Sequence, residues 1–291
     1  MSGRRAAAVA GTWYPSHPAA LRRAVDAYLD AADEAAPAMP ADVHVRALVA
    51  PHAGLMYSGP VAAHAYRLVA GSAPAAVVLV GPSHHLAFEG VAIWPDGVFE
   101  TPFGDVPIAA ALAQRLLAAC PLVHDRPAAH LPEHCLEMQM PFVAAILPDV
   151  PIVPLVMGRQ SASTIRGLAA GLSDACRGRD VLLVASSDLS HFEPREVAGA
   201  MDGAVAACVD AFDDAGLERL LAREPRHACG GGPMVAVLAA ARALGADASR
   251  VLHYGDSGEV SGDTSAVVGY LAAAAWASSG RPAGTALEVP R

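Results

Sequence analysis

The sequence contains an apolar run that ends in two histidines, AVVLVGPSHH at residues 76–85. Its first five residues include no polar position, which predicts a strand covered on both faces. Gly81 and Pro82 end the run, so the two histidines follow at the carboxyl end of the strand. A second run, VLLVASSDLSH at residues 181–191, repeats this arrangement with Asp188 and His191. Buried strands of this kind favour an α/β protein.

The rest of the chain alternates between short strand-like runs and longer Ala- and Leu-rich helical runs. The predicted strands are residues 43–50, 75–81, 90–94, 151–157, 181–185, 251–254 and 265–270. The predicted helices are residues 17–32, 60–68, 108–119, 137–147, 161–176, 196–214, 217–222 and 233–244. This order predicts a central sheet between helical layers. We expect one domain over residues 1–277, with a surface loop at 33–40 and a disordered tail at 278–291.

The composition excludes several classes of function. All 20 basic residues of the 291-residue chain are Arg, and Lys and Asn are absent. A Schiff-base lysine, a phosphate-loop lysine and an Asn-linked glycan are therefore excluded. The net charge of −9 argues against a basic surface that binds nucleic acid.

The hydropathy pattern and the cysteines bear on the compartment. The most apolar stretch, residues 142–157, is interrupted by Asp149 and three prolines, and no signal peptide precedes the body, so we expect no membrane association. Five scattered cysteines without a CxxC pair indicate a reducing cytoplasm.

Residues that can bind a metal or transfer protons follow several predicted elements. They include His52 after the first strand, His134 and Glu137 in a capping turn, and Cys229 before the last helix. Each has a structural alternative: a histidine can cap a strand, Asp188 a helix, and a lone cysteine can fill the core. The Gly230–Gly232 stretch can be a tight turn that needs positive φ. Together, however, they favour a divalent metal held by imidazole and an anionic ligand, as in non-haem iron oxygenases.

Five ordered motifs identify a family resemblance. They are APHAG at 50–54, GPSHH at 81–85, Glu133-His134 with Glu137, SSD at 186–188 with His191, and Cys229 before Pro233. Between GTWYP at 11–15 and SAVVGY at 265–270, the chain resembles the Memo family. Bacterial and archaeal members of that family are labelled AmmeMemoRadiSam system protein B.

The resemblance implies a fold and a site. The family is similar to the class III extradiol, LigB-like dioxygenases, which implies a three-layer α/β/α sandwich around a central mixed sheet with a pocket at the strand ends. It implies that His52, His84 and Cys229 bind the metal. It further implies that His191 and His134 act as acid/base residues, with Asp188 and Glu137 as their partners. Iron is the expected metal, and the thiolate also suits copper or zinc.

Three functions follow as hypotheses. The first is redox or oxygen-dependent chemistry on a substrate that the sequence does not identify. The alternative is a non-catalytic protein that binds a small molecule, a peptide, or partners such as a radical-SAM protein and an Ammecr-type protein. The third is a hydrolase with a Cys229–His227 pair. Its serine counterpart is disfavoured because GPSHH lacks the final glycine of the G-x-S-x-G elbow.

Overall fold

The computed structural model describes residues 3–34, 39–40 and 43–278. The predicted tail therefore lies outside the described residues except for Ser278, and the predicted loop at 33–40 lies outside them in part. No helix in the described ranges combines the length and the apolar character needed to cross a membrane.

The secondary structure alternates as the sequence predicts. The strands are β1 Arg4–Arg5, β2 His44–Ala50, β3 Ala76–Pro82, β4 Val91–Ile93, β5 Val98–Thr101, β6 Gly104–Pro107, β7 Val123–Asp125, β8 Ile152–Met157, β9 Val181–Ser186, β10 His191–Glu193, β11 Ala248–Asp256 and β12 Val267–Ala277. The α-helices are α1 Pro18–Glu34, α2 Leu55–Tyr66, α3 Ala110–Ala119, α4 Met140–Ile146, α5 Ala162–Cys176, α6 Arg195–Asp210, α7 Asp214–Arg223, α8 Gly231–Ala243 and α9 Gly258–Ser261.

The large sheet is mixed, with a parallel centre. Its order is β10-β12-β2-β9-β3-β8-β4-β7, and β11 also pairs with β12. The four neighbours β2, β9, β3 and β8 are parallel, whereas β12 runs antiparallel to β2 and β4 antiparallel to β8. Ala50 lies opposite Ser186 and Pro82 opposite Met157, so these strands end together. Their carboxyl ends form one edge of the sheet, where sites of α/β proteins lie.

Alternate residues of the central strands pack on opposite faces. On β3, Val78 and Val80 belong to the core beneath α5 and α8, and Val77 and Leu79 to the core beneath α1 and α2. A strand buried on both faces needs an apolar residue at every position, which the run at 76–80 supplies. The predicted α/β/α sandwich with a central mixed sheet is thereby confirmed.

Several elements differ from the prediction. The run LAAAAWA at 271–277 has helical composition, but it belongs to β12 because it pairs with both β2 and β11. The predicted helix at 137–147 is a 3-10 turn, Glu137–Gln139, followed by α4. A separate sheet of order β1-β5-β6 was not predicted, since its strands have only two to four residues.

Candidate metal centre

The three predicted metal ligands meet at the carboxyl edge of the sheet. His52 follows β2 and His84 follows β3, while Cys229 lies in the turn before α8. One donor atom from each residue lies within 4.8 Å of the other two. The sulfur Sγ of Cys229 is 3.2 Å from Nε2 of His52. The fold thus brings together three residues that span 178 positions of the sequence.

The position of Cys229 depends on a close backbone approach. A Cβ atom on Gly230 would lie 2.5 Å from the carbonyl oxygen of Ser186, so only glycine fits there. The φ of Gly230 is −104°, so the close approach, and not a positive φ, requires the glycine. Gln160 holds the turn from the other side, since its Nε2 donates to the Cys229 carbonyl at 2.7 Å.

Hydrogen bonds fix the tautomer of His52. The hydroxyl of Ser186 donates to the Cys135 carbonyl at 2.7 Å and accepts from Nε2 of Gln139 at 2.8 Å. Its only proton is committed, so Nδ1 of His52, at 2.9 Å, must donate to it. The proton therefore resides on Nδ1, and the lone pair of His52 Nε2 faces Cys229.

Glu133 fixes the tautomer of His84. Its Oε1 lies 2.9 Å from Nδ1 of His84, and its Oε2 accepts from the His84 backbone N–H at 2.7 Å. A carboxylate only accepts, so Nδ1 carries the proton and Nε2 keeps its lone pair. A histidine whose second nitrogen donates to a carboxylate is the usual support for a metal ligand.

The donor set fits a metal ion. Metal–sulfur and metal–nitrogen bonds of about 2.3 and 2.1 Å, at angles of roughly 90–110°, separate the two donors by about 3.1–3.6 Å. The distance from Cys229 Sγ to His52 Nε2 is 3.2 Å. Two neutral imidazoles and one thiolate leave further coordination positions for a small molecule.

Burial sets the protonation of these groups. It lowers the pKa of His52 well below its ordinary value, with the neighbouring His84 adding to the effect, so His52 is a neutral ligand. Burial also raises the pKa of the Cys229 thiol, and the charge of Asp188 raises it further. A metal must therefore displace the thiol proton, which the charge of the cation favours.

A second group of possible ligands, His84, Glu133 and His134, lies beside the first. Burial alone would raise the pKa of Glu133, but hydrogen bonds from His84 and Cys135 outweigh it and hold the pKa below its ordinary value. Oε1 also accepts the backbone N–H groups of His134 and Cys135, each at 3.0 Å. Because Oε1 accepts from three donors and Oε2 accepts from the His84 backbone, we assign Glu133 to the support of His84.

The remaining predicted residues line the same group. The His134 ring stacks on His84 with centroids 4.4 Å apart, and burial lowers its pKa to about 4. Nδ1 of His191 donates to the Leu189 carbonyl at 2.9 Å, which leaves Nε2 for other contacts. Asp188 accepts the backbone N–H of His52 at 2.6 Å.

Comparison with protein families identifies the family of this chain. The family model described as Memo-like protein matches residues 5–274. The chain belongs to the Memo family. A MEMO1 family protein of Methanothermobacter thermautotrophicus is 37% identical over 271 residues, which are 91% of this chain and 98% of the relative. A MEMO1 family protein of Methanopyrus kandleri is 35% identical over 92% of this chain and 97% of its own length.

A solved structure shares the architecture. The crystal structure of an uncharacterized protein from Escherichia coli K12 has a TM-score of 0.54 to this Memo-like chain at 18% identity. The match covers 78% of this chain and 99% of the other. That likeness concerns the fold alone.

The structure places Glu137 apart from the predicted ligands. Its buried carboxylate pairs with Arg5 and accepts from the backbone of Ala8 at 2.7 Å and from the Tyr14 hydroxyl at 2.7 Å. In this Memo-like chain Glu137 therefore anchors the N-terminal segment.

His227, the proposed partner of Cys229 in a hydrolase, is also placed elsewhere. Its Nδ1 contacts the Met201 carbonyl at 2.8 Å, whereas the histidine beside Cys229 Sγ is His52. The Cys229–His227 pair of the hydrolase hypothesis is therefore not formed.

Three supporting residues received no role from the sequence. They are Glu133, Ser186 and Gln160, which hold His84, His52 and Cys229 respectively. Glu133 and Ser186 stand within the family motifs, so position in a motif was an available signal. Gln160 follows β8 at the same sheet edge, but the sequence there has no distinguishing pattern.

Proposed function

We propose that this Memo-like protein binds one metal ion through Nε2 of His52, Nε2 of His84 and Sγ of Cys229. Iron is the first candidate, with copper or zinc as alternatives. The proposal rests on two observations that agree: the tautomers of the two histidines and the short distances between the donor atoms. Nε2 of His52 lies 3.2 Å from Cys229 Sγ, a donor atom of each of the three residues lies within 4.8 Å of the other two, and Nδ1 of the two histidines contacts Ser186 and Glu133 respectively. A bound iron or copper ion would supply one-electron and oxygen-dependent chemistry to a substrate at its open positions.

The neighbouring histidines are candidates for proton transfer. With a pKa of about 4, His134 is neutral at neutral pH and can accept a proton from a substrate beside His84. His191 is half-buried and has an open Nε2, because Nδ1 is committed to a backbone carbonyl. These two residues are the proposed acid/base pair.

Asp188 has a positioning role in this proposal. Its Oδ1 accepts the backbone N–H groups of His52 at 2.6 Å and Ala53 at 3.2 Å. Burial raises its pKa, although the His52 hydrogen bond and the nearby His191 counteract the rise in part. Asp188 thus fixes the main chain that carries His52.

The first test is metal stoichiometry. Untagged protein is stripped of metal and reloaded anaerobically with Fe(II), Cu(I) or Zn(II), and bound metal is measured by elemental analysis. We expect one ion per chain in the wild type and a large loss in Cys229→Ser. Cys208→Ser is the control, since Cys208 is another partly exposed free thiol, on α6. A wild type that rebinds none of the three metals refutes the proposal and favours the non-catalytic binding alternative.

The proposed redox chemistry has a separate test. Fe(II)-loaded protein supplied with ascorbate is compared with Zn(II)-loaded protein in an oxygen electrode. We expect oxygen consumption above the ascorbate background only with iron. Equal rates for the two forms would refute the redox chemistry and leave the metal site in place.

A further inference from the structure

A cleft lies between the helices α5, α7 and α8. Its lining includes Ile165 of α5, Leu221 of α7 and Val235 of α8, and its volume is about 100 Å³. The described residues of the lining are apolar or glycine except for Gln160 and Glu218. None of the three proposed metal ligands is among these described residues, so the cleft is separate from the metal group. We call it the helical cleft.

Two glycines bring the helical cleft next to the main chain of Cys229. Gly231 and Gly232 follow Cys229 by two and three positions, and both line the cleft. A Cβ atom on Gly231 would lie 2.7 Å from Cδ1 of Leu221. One on Gly232 would lie 2.9 Å from Oε1 of Gln160. Because neither residue has a side chain, a molecule in the cleft contacts the backbone of the turn itself.

Gln160 links the helical cleft to Cys229. Its Nε2 donates to the Cys229 carbonyl at 2.7 Å, and its Oε1 accepts the Gly232 N–H at 2.6 Å. Gln160 is exposed, so water competes for both hydrogen bonds. An apolar molecule in the cleft excludes that water, and hydrogen bonds are stronger where the local dielectric constant is low. Occupancy of the cleft therefore stabilises the turn that carries Cys229.

The charges and the size of the helical cleft define its ligand. Glu218, the ionisable residue of the described lining, pairs with Arg166 at 3.0 Å. The Gly232 N–H at the start of α8 is committed to Gln160. Since a buried charge needs a partner, these pairings favour a neutral ligand. A cavity of about 150 Å³ accepts benzene, so a volume of about 100 Å³ has room for about four or five non-hydrogen atoms.

We infer that the helical cleft binds a small neutral aliphatic molecule as an effector, and that Gln160 couples this binding to the metal affinity of the Cys229 turn. The coupling rests on the proposed function, whereas binding in the cleft does not require the metal. Because coupling between two sites is reciprocal, the effector and the metal raise each other's affinity by the same factor. The coupling acts through two hydrogen bonds of modest net strength, so we expect a factor of about 2 to 5.

Binding is tested by methyl NMR of the metal-free full chain with isobutanol, which is of the required size, and with its anionic counterpart isobutyrate. We expect isobutanol to shift the methyl signals of Ile165 and Val235 with a dissociation constant on the order of 1–10 mM, and isobutyrate to bind more weakly. Ala162→Trp and Ala222→Trp, at exposed positions of the lining, should abolish these shifts. Ala215→Trp, at an exposed position of α7 outside the lining, should leave them unchanged.

The coupling is tested by competition with a chromogenic chelator for Zn(II), with and without saturating isobutanol. We expect isobutanol to raise the Zn(II) affinity of the wild type about 2- to 5-fold and to leave that of Ala222→Trp unchanged. Gln160→Leu keeps an apolar lining but lacks both hydrogen bonds, so it should bind isobutanol while its Zn(II) affinity no longer responds. The backbone amide signal of Cys229 reports the coupling without a metal, since isobutanol should shift it in the wild type and not in Gln160→Leu.

The outcomes separate this inference from the metal proposal. Tighter binding of isobutyrate would overturn the ligand class, and binding that leaves both the Zn(II) affinity and the Cys229 amide unchanged would overturn the coupling. Absent binding of isobutanol by a protein that takes up Zn(II) would refute the helical cleft and spare the metal site. Binding that shifts the Cys229 amide in a protein without Zn(II) uptake would support the cleft and refute the metal proposal.

Discussion

Replacing Glu133 by Gln tests the support of the metal centre most directly. Oε1 of Glu133 faces three donors, namely Nδ1 of His84 and the backbone N–H groups of His134 and Cys135, and Oε2 faces the backbone N–H of His84. A glutamine side chain keeps only one acceptor oxygen. Its NH₂ group must face either the single donor or the three, so at least one buried donor loses its partner.

The size of the effect follows from these contacts. An unpaired buried donor costs about 1–3 kcal/mol in the free energy of unfolding. Loss of the carboxylate also lowers the basicity of Nε2 of His84, and removing such a support weakens metal binding by about 10- to 100-fold. If the NH₂ group meets Nδ1, His84 can bind it only by moving its own proton to Nε2, which removes the lone pair that a metal needs.

The assay is competition of the metal-free protein with a chromogenic chelator for Zn(II), with urea unfolding measured in parallel. Asp202→Asn is the matched control, because Asp202 is an equally buried carboxylate that accepts from Ser190 and Tyr254 and contacts no predicted ligand. We expect it to lose stability but to keep its Zn(II) affinity. Unchanged affinity in Glu133→Gln, or equal losses in both variants, would refute the reasoning.

Three further predictions concern other parts of the chain. Cys229→Ser should abolish the thiolate-to-metal charge-transfer band of the Co(II)-loaded protein, and retention of the band would exclude Cys229 as a ligand. Gly230→Ala should lower the free energy of unfolding by about 1–3 kcal/mol, measured in urea, because the added Cβ meets the Ser186 carbonyl. Burial, with His253 and Arg67 nearby, lowers the pKa of His64 to about 4. The unfolded chain therefore takes up that proton near pH 6.5 and the folded one only near pH 4, so this group makes stability fall as the pH drops between those values. Between pH 7 and 4.5, the free energy of unfolding of His64→Phe should fall by about 2–3 kcal/mol less than that of the wild type. Equal losses in the two proteins would contradict this.

The sequence was sufficient for the centre of the fold and for the position of several polar residues at its edge. Runs such as residues 76–80 and 181–184 have no polar position, and only a strand covered on both faces accommodates them. Polar residues that directly follow such strands must meet at one edge. His52, His84 and Asp188 were therefore placed correctly from local pattern and topology alone.

The sequence was insufficient where long-range pairing decides the conformation. The Ala-rich segment of β12 is a strand because β2 and β11 lie on either side of it, and its composition carries no sign of that pairing. Glu133 and Glu137 are both acidic residues within three positions of His134 in the chain. Only the path of the turn directs one carboxylate to His84 and the other to the N-terminal segment.

Because Glu133 and Glu137 have different partners, the small sheet β1-β5-β6 contributes to the site. Arg5, on β1, is completely buried and donates to the carboxylate of Glu137 and to the backbone carbonyls of Glu133 and His130. The segment that follows Arg5 carries Trp13 to the His134 ring. Because removing one partner of a buried ion pair costs about 3–5 kcal/mol, the Arg5–Glu137 pair strongly restricts the turn that contains Glu133. A strand of two residues, too short to be recognised in the sequence, thus fixes both the carboxylate that orients His84 and the aromatic ring that borders His134.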